Sequence, residues 1–163
     1  MDIYTNTGTK WTALAIGVAA LVMSPFDGEG ISIGCSWLAR LSYHIFHVNI
    51  LHACCNAWAL ITLVFYYDLH WKKIALAFAV AVSMPACFLS TTPVVGMSGV
   101  CFALMGMTFF VVRRKAMFMS WAAAFLVAGF LLPGVAAMVH VYCYAVGLAV
   151  GTLTSPLLWH KEK

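Results

Sequence analysis

The spacing of the charges constrains this chain more than any other feature. Without counting histidine, Trp11–Phe26 is a run of 16 uncharged residues, Leu41–Tyr67 one of 27, Ile74–Val112 one of 39 and Ala116–His160 one of 45. A soluble domain carries about 25% charged residues; here 9% are charged and 64% are hydrophobic. That is too little charge to cover a water-facing surface. A soluble globular protein, a disordered chain and a nucleic-acid binder are excluded on this ground. The net charge of +4 resolves into short clusters beside apolar runs, which is a membrane pattern. With 163 residues the chain is expected to be one domain, 1–163. The expected fold class is all-α, a polytopic membrane protein.

A helix needs about 20 residues to cross the hydrocarbon core. The first two runs therefore supply one span each, and the two longer runs must turn back. The 39-residue run breaks at Ser90-Thr91-Thr92-Pro93-Val94-Val95-Gly96 and the 45-residue run at Pro133-Gly134. Six helices are predicted, over about 10–26, 45–67, 72–89, 97–113, 116–132 and 136–158. Lys10, Lys72, Lys73, Arg113, Arg114, Lys115, Lys161 and Lys163 then share one face, opposite Arg40 with Asp27 and Glu29. The positive-inside rule makes that face cytoplasmic, with both termini inside and Trp11, Trp71 and Trp159 at its boundary. Lys10 with the first run also reads as a secretory signal, but Met23-Ser24-Pro25-Phe26 is a poor small-x-small cleavage site. Cys54, Cys55, Cys101 and Cys143 lie in apolar runs as small hydrophobes, and a Cys35–Cys87 bridge is conceivable.

Polar side chains inside a bilayer are costly and usually functional. They concentrate at three places. The second predicted helix opens with Tyr43, His44, His47, Asn49, His52 and Asn56; the fourth opens with Ser98; the sixth carries His140. At 1.5 Å per residue, His52 and His140 both lie roughly 10 Å below the outer ends of their helices. His52 and Asn56, four residues apart, share a helix face. Gly99, Ala103 and Gly106 form one strip of small residues and Gly147 and Gly151 another, with His140 seven residues above Gly147. Close packing of these strips would bring Ser98 toward His140, the relation of a nucleophile and its base. Each feature has a plainer explanation alone: Ser98 as a helix cap, His140 and Asn56 as interhelical hydrogen bonders, the glycines as packing devices. Their coincidence at one depth favours a site. Asp2, Asp27, Glu29, Asp68 and Glu162 are the only acids and lie outside the spans, so serine chemistry here would use a two-residue dyad.

These residues resemble those of the rhomboid intramembrane serine proteases. Gly96-Met97-Ser98-Gly99 is similar to the family's GxSG nucleophile motif, and His47 through His52 to Asn56 to its HxxxxHxxxN motif. His140 with Gly147 looks like the base histidine and its packing glycine. The resemblance spans about residues 10–160 and implies a six-transmembrane-helix rhomboid-like bundle. It implies Ser98 as nucleophile, His140 as general base and acid, and His52, Asn56 and the Ser98 backbone N–H as the oxyanion hole. Gly96, Gly99, Phe102 and Gly147 would be motif and packing positions. The substrates implied are transmembrane proteins, usually single-pass, cut near the outer membrane boundary after a small residue. No cofactor and no metal is implied; the expected setting is the bacterial cytoplasmic (inner) membrane.

The chain departs from the family at identifiable places. Cys143 stands three residues after the base where a glycine is common, and Phe102 stands four residues after the nucleophile where a tyrosine is common. The first outer loop, 27–44, holds Trp37 and Arg40 apart instead of adjacent. A second register would put Gly147 at the missing glycine and Tyr144 at the base position, leaving no base. Two alternatives stay open: an inactive rhomboid-like protein that binds membrane clients, and a haem or metal protein using His44, His47, His52 and His140. The first is disfavoured by the presence of both Ser98 and His140.

Overall fold

The computed structural model describes residues 6–132 and 134–159, with side chains described through residue 154. Asp2, Pro133, His160, Lys161, Glu162, Lys163 and the side chain of Trp159 lie outside the described residues. Among the described residues the protein is all-α. It comprises α1 (Thr7–Met23), α2 (Trp37–Ser42), α3 (Ile50–Tyr66), α4 (Trp71–Val82), a 3₁₀ turn at Ala86–Phe88, α5 (Ser98–Thr108), α6 (Lys115–Leu131) and α7 (Ala137–Trp159).

The long helices alternate in direction between two poles. At one pole Lys10 pairs with Asp68 at 2.8 Å, and Asn6 donates to the Asp68 carbonyl at 3.0 Å. Tyr67 meets Phe118 edge-on at 6.0 Å there. At the other pole Ile31 and Val94 exchange backbone hydrogen bonds of 2.8 and 3.1 Å, and the Tyr43 hydroxyl donates to the Ala81 carbonyl at 3.3 Å. Lys10, Lys72 and Lys115 begin or lie near the ends of helices at the first pole, while Asp27, Glu29 and Arg40 lie at the second.

The centre of the molecule is α5, buried along most of its length from Gly99 to Thr108. Its principal neighbour is α7, and the reason is the absence of side chains at the crossing. A Cβ on Gly147 would collide with the Ala103 carbonyl, and one on Gly106 would lie 2.6 Å from the Leu148 nitrogen. The two glycine strips thus permit the approach that the sequence suggested. On the other side, α1 buries Thr9, Ala13, Gly17 and Ala20, and Gly17 packs against Ala57 and Ile61 of α3. In contrast, α6 buries only Phe118, Ala122 and Gly129.

Several boundaries differ from expectation. The first helix runs from Thr7 to Met23 instead of 10–26. The second was expected from 45 but starts at Ile50, because the Asn49 side chain accepts the His52 N–H at 2.8 Å and caps the helix there. His44 and His47 are consequently in the preceding loop. The third was expected to reach 89 and stops at Val82: Pro85 cannot continue a helix, and the freed carbonyls are claimed by Arg40, which donates to Val82 at 3.3 Å and Met84 at 2.6 Å. The fourth was expected to reach 113 and ends at Thr108, followed by four-residue turns such as that closed by Val111 N–H to Thr108 O at 2.9 Å. The fifth and sixth lie within one residue of 116–132 and 136–158. The short helix α2 was not anticipated; the Ser36 hydroxyl caps it by accepting the Ala39 N–H at 3.0 Å.

By length and composition, α7 alone among the described helices is long and apolar enough to cross a membrane, over Ala137–Thr154. Four shorter apolar helices accompany it: α1, α3, α5 and α6. All six cysteines are free, so the conceivable Cys35–Cys87 bridge is not formed.

Candidate active site

Ser98 is the first residue of α5, and Met97 before it makes no side-chain cap. The Ser98 hydroxyl is thus not spent on capping the helix. It meets His140 Nε2 of α7 at 2.8 Å. Phe102, one turn along α5 from Ser98, stacks on the His140 ring with centroids 4.3 Å apart and planes inclined by 21°. The aromatic ring at this position therefore restrains the imidazole without needing a hydroxyl. His140 Nδ1 is buried with no hydrogen-bond partner. No described acid reaches it: Asp68 is paired with Lys10, and Glu29 accepts from the Ser36 hydroxyl at 3.0 Å. With Nε2 accepting the serine proton, the neutral ring carries its hydrogen on Nδ1.

The segment entering α5 is shaped by Gly96, whose φ of +129° is a conformation that favours glycine. Its N–H donates to the Tyr43 carbonyl at 2.9 Å. The space beside it is taken by the helix α3 pair. A Cβ on Gly96 would stand 2.8 Å from His52 Cε1, 3.1 Å from His52 Nε2 and 3.4 Å from Asn56 Nδ2. Asn56 is 7% exposed, and its Nδ2 has no partner in the protein. A buried amide donor without an acceptor costs roughly 1–3 kcal/mol, and this one stands beside Gly96, two residues before Ser98. His52 and Asn56, from the first two turns of α3, are thus brought against Gly96, two residues before Ser98. His52 and His140 sit in the first turn of their helices, shallower along them than the expected two turns, because α3 and α7 start at Ile50 and Ala137.

Gly99 is needed for a different reason. A Cβ there would meet Cys143 Sγ at 3.3 Å and the Tyr43 hydroxyl at 3.4 Å. Cys143, wholly buried, fills the room beside α5 that a glycine would leave open. Gly147 serves the α5–α7 crossing already described. Tyr144 turns from the site, its hydroxyl directed at the Met119 sulfur of α6 at 3.1 Å.

The histidines divide unexpectedly. His47 Nδ1 is 3.1 Å from the Ile45 carbonyl, and Met97 N–H donates to His47 Nε2 at 3.3 Å. One tautomer satisfies both contacts: Nδ1 donates and Nε2 accepts. His47 therefore tethers the residue immediately before Ser98. His44, one of the polar residues expected to open the second helix, is enclosed between Tyr43 and Phe78, at ring distances of 3.8 and 4.4 Å. A cavity of about 500 Å³ does open at this pole, lined by His47 and Asn49 with Asp27, Phe46 and Val95, but neither His44 nor Ser98 lines it. Among the described residues no three His, Cys, Asp or Glu side chains gather to hold a metal ion. Trp37 and Arg40, separated in sequence, face each other on α2 with the guanidinium 5.8 Å from the ring centroid. The tethering role of His47 was not foreseen; the first histidine of its motif was the signal available.

No model of a known protein family matches the chain, and no curated protein matches it.

Proposed function

We propose that this protein is a rhomboid-type intramembrane serine endopeptidase, a six-span membrane protein with both termini cytoplasmic, that cleaves transmembrane protein substrates near the outer boundary. The observation that carries the reading is the 2.8 Å contact between Ser98 Oγ and His140 Nε2. It joins a hydroxyl free of capping duty to an imidazole stacked on Phe102, in a chain whose exposed residues include Trp58, Tyr66, Trp121, Phe125 and Leu131. Apolar faces of this kind suit lipid better than water. The alternation of the helices and the basic pole favour the same orientation as the positive-inside rule.

The chemistry follows from the geometry. Ser98 Oγ attacks the scissile carbonyl carbon as His140 Nε2 takes its proton. The carbonyl oxygen gains negative charge, and fixed donors at that point lower the barrier. Asn56 Nδ2 is such a donor, His52 and the Ser98 backbone N–H are the others, and Gly96 leaves them access. The imidazolium then protonates the departing amine, leaving an acyl-enzyme on Ser98. His140 next takes a proton from water, whose oxygen attacks the ester carbonyl, and Ser98 is regenerated. No step requires a third, acidic member.

The test is labelling of the purified protein by a serine-directed fluorophosphonate, alongside cleavage of a single-pass substrate in proteoliposomes. Wild type is expected to label and cleave and Ser98→Ala to do neither; equal labelling of both would overturn the proposal.

A further inference from the structure

In a Ser-His-Asp triad an acid orients the base through Nδ1. Here Nδ1 of His140 is buried and unpartnered, yet the ring is aimed at Ser98. What stands beyond Nδ1 is the backbone of α6. A Cβ placed on Gly129 would lie 3.2 Å from Nδ1, 3.6 Å from Val135 Cγ1 and 3.8 Å from Ala137 Cα. The imidazole is thus enclosed edge-on between the Ser98 hydroxyl and the bare Gly129, with Phe102 over one face.

Gly129 is not required by its own backbone. The glycines with positive φ are Gly34, Gly96 and Gly134, whereas Gly129 is helical, two residues before the end of α6 at Leu131. Within a helix glycine is less favourable than alanine. The glycines at the α5–α7 contact face main chain, Cys143 or the Phe110 ring; Gly129 of α6 is the one whose nearest neighbour is His140. It is also one of only three buried residues of α6, so the upper end of this lightly packed helix meets the site through it.

We infer that Gly129 is a positioning residue for His140: the α6 backbone closes on the Nδ1 edge and keeps Nε2 at the Ser98 hydroxyl, doing by contact what an acid does by hydrogen bonding. Phe102 limits tilt of the ring, and Gly129 blocks its retreat from Ser98. A methyl at 129 would stand 3.2 Å from Nδ1, closer than ordinary contact, so the ring must give by a few tenths of an ångström. The effect on turnover rests on the protease reading; the effect on the ring does not.

Gly129→Ala and Gly129→Val test this in the full chain, with Ala124→Val, an exposed position of the same helix, as control. Cleavage rate, fluorophosphonate labelling, thermal midpoint and the ¹⁵N signals of the His140 ring are measured on each preparation. A misplacement of 1 Å can cost about 10²-fold in rate. Gly129→Ala is expected to lower kcat about tenfold with KM unchanged, and Gly129→Val to lower it further. The His140 ring signals should shift in Gly129→Ala and not in Ala124→Val, a readout that also works in a Ser98→Ala background. If wild type neither labels nor cleaves, the protease reading fails and the ring signals alone decide this inference. Unmoved ring signals in folded Gly129→Ala overturn it, as does wild-type kcat per folded molecule alongside a lowered thermal midpoint.

Discussion

In the proposed reading Ser98 serves as the nucleophile, and its hydroxyl faces His140 and not the backbone of its own helix, while Met97 is tied down by His47. Under the proposed mechanism, Ser98→Ala and His140→Ala should each lower turnover by about 10⁴–10⁶-fold in protein that still folds. Asp27, Glu29 and Asp68 changed to Asn should leave turnover largely intact, since Glu29 and Asp68 are engaged elsewhere and Asp27 lines a cavity that Ser98 and His140 do not. A kinetic assay on folded material checks both. Asn56 is the sharper case. If its unpartnered amide receives the oxyanion, Asn56→Ala should cost about 10²–10³ in kcat, with substrate binding nearly unchanged. If it is interhelical glue, the same substitution should lower thermal stability in detergent and leave turnover normal.

At the scale of elements, the site is held by two junctions. One is the α5–α7 crossing, where Gly106 and Gly147 place backbone on backbone. Overpacking a filled core typically costs about 1–3 kcal/mol, and here the obstacle is a main chain that cannot swing aside. Gly147→Ala is therefore expected to lose at least that much stability, read as a lower thermal midpoint. The second junction is the end of α4, where Arg40 spans the Val82 and Met84 carbonyls. Hydrogen bonds from charged groups contribute about 1.5–3 kcal/mol each, so Arg40→Ala should destabilise the protein by a few kcal/mol without touching Ser98 or His140. The glycine strips were legible in the sequence because helical periodicity is local. The Arg40 junction was not, since its partners lie more than forty residues away in chain order and are backbone carbonyls that any residue supplies.

Across the whole molecule, the two poles carry the topological argument. In the proposed orientation the basic pole faces the cytoplasm and the pole bearing Ser98, Asn56 and His140 faces out. A reporter inserted near Arg114 should read cytoplasmic and one after Thr92 external, by enzymatic fusion or accessibility labelling; a cytoplasmic signal after Thr92 would break the six-span arrangement. With 11 and 12 residues, α5 and α4 extend only about 17–18 Å. Both are shorter than the roughly 17–25 residues of a usual span.

Charge spacing and the Pro and Gly breaks were enough to determine an all-helical chain, the order of its long elements and the residue types available for chemistry. These are local properties: an uncharged run and a helix breaker act whatever lies beside them. Helix ends, α2, the turning of His44 away from the site and of His47 onto Met97, and the seat of Gly129 against His140 were decided only by the tertiary structure. Each depends on which carbonyl, ring or bare backbone arrives from a distant segment, and that contact competes with local preference only once the helices have packed.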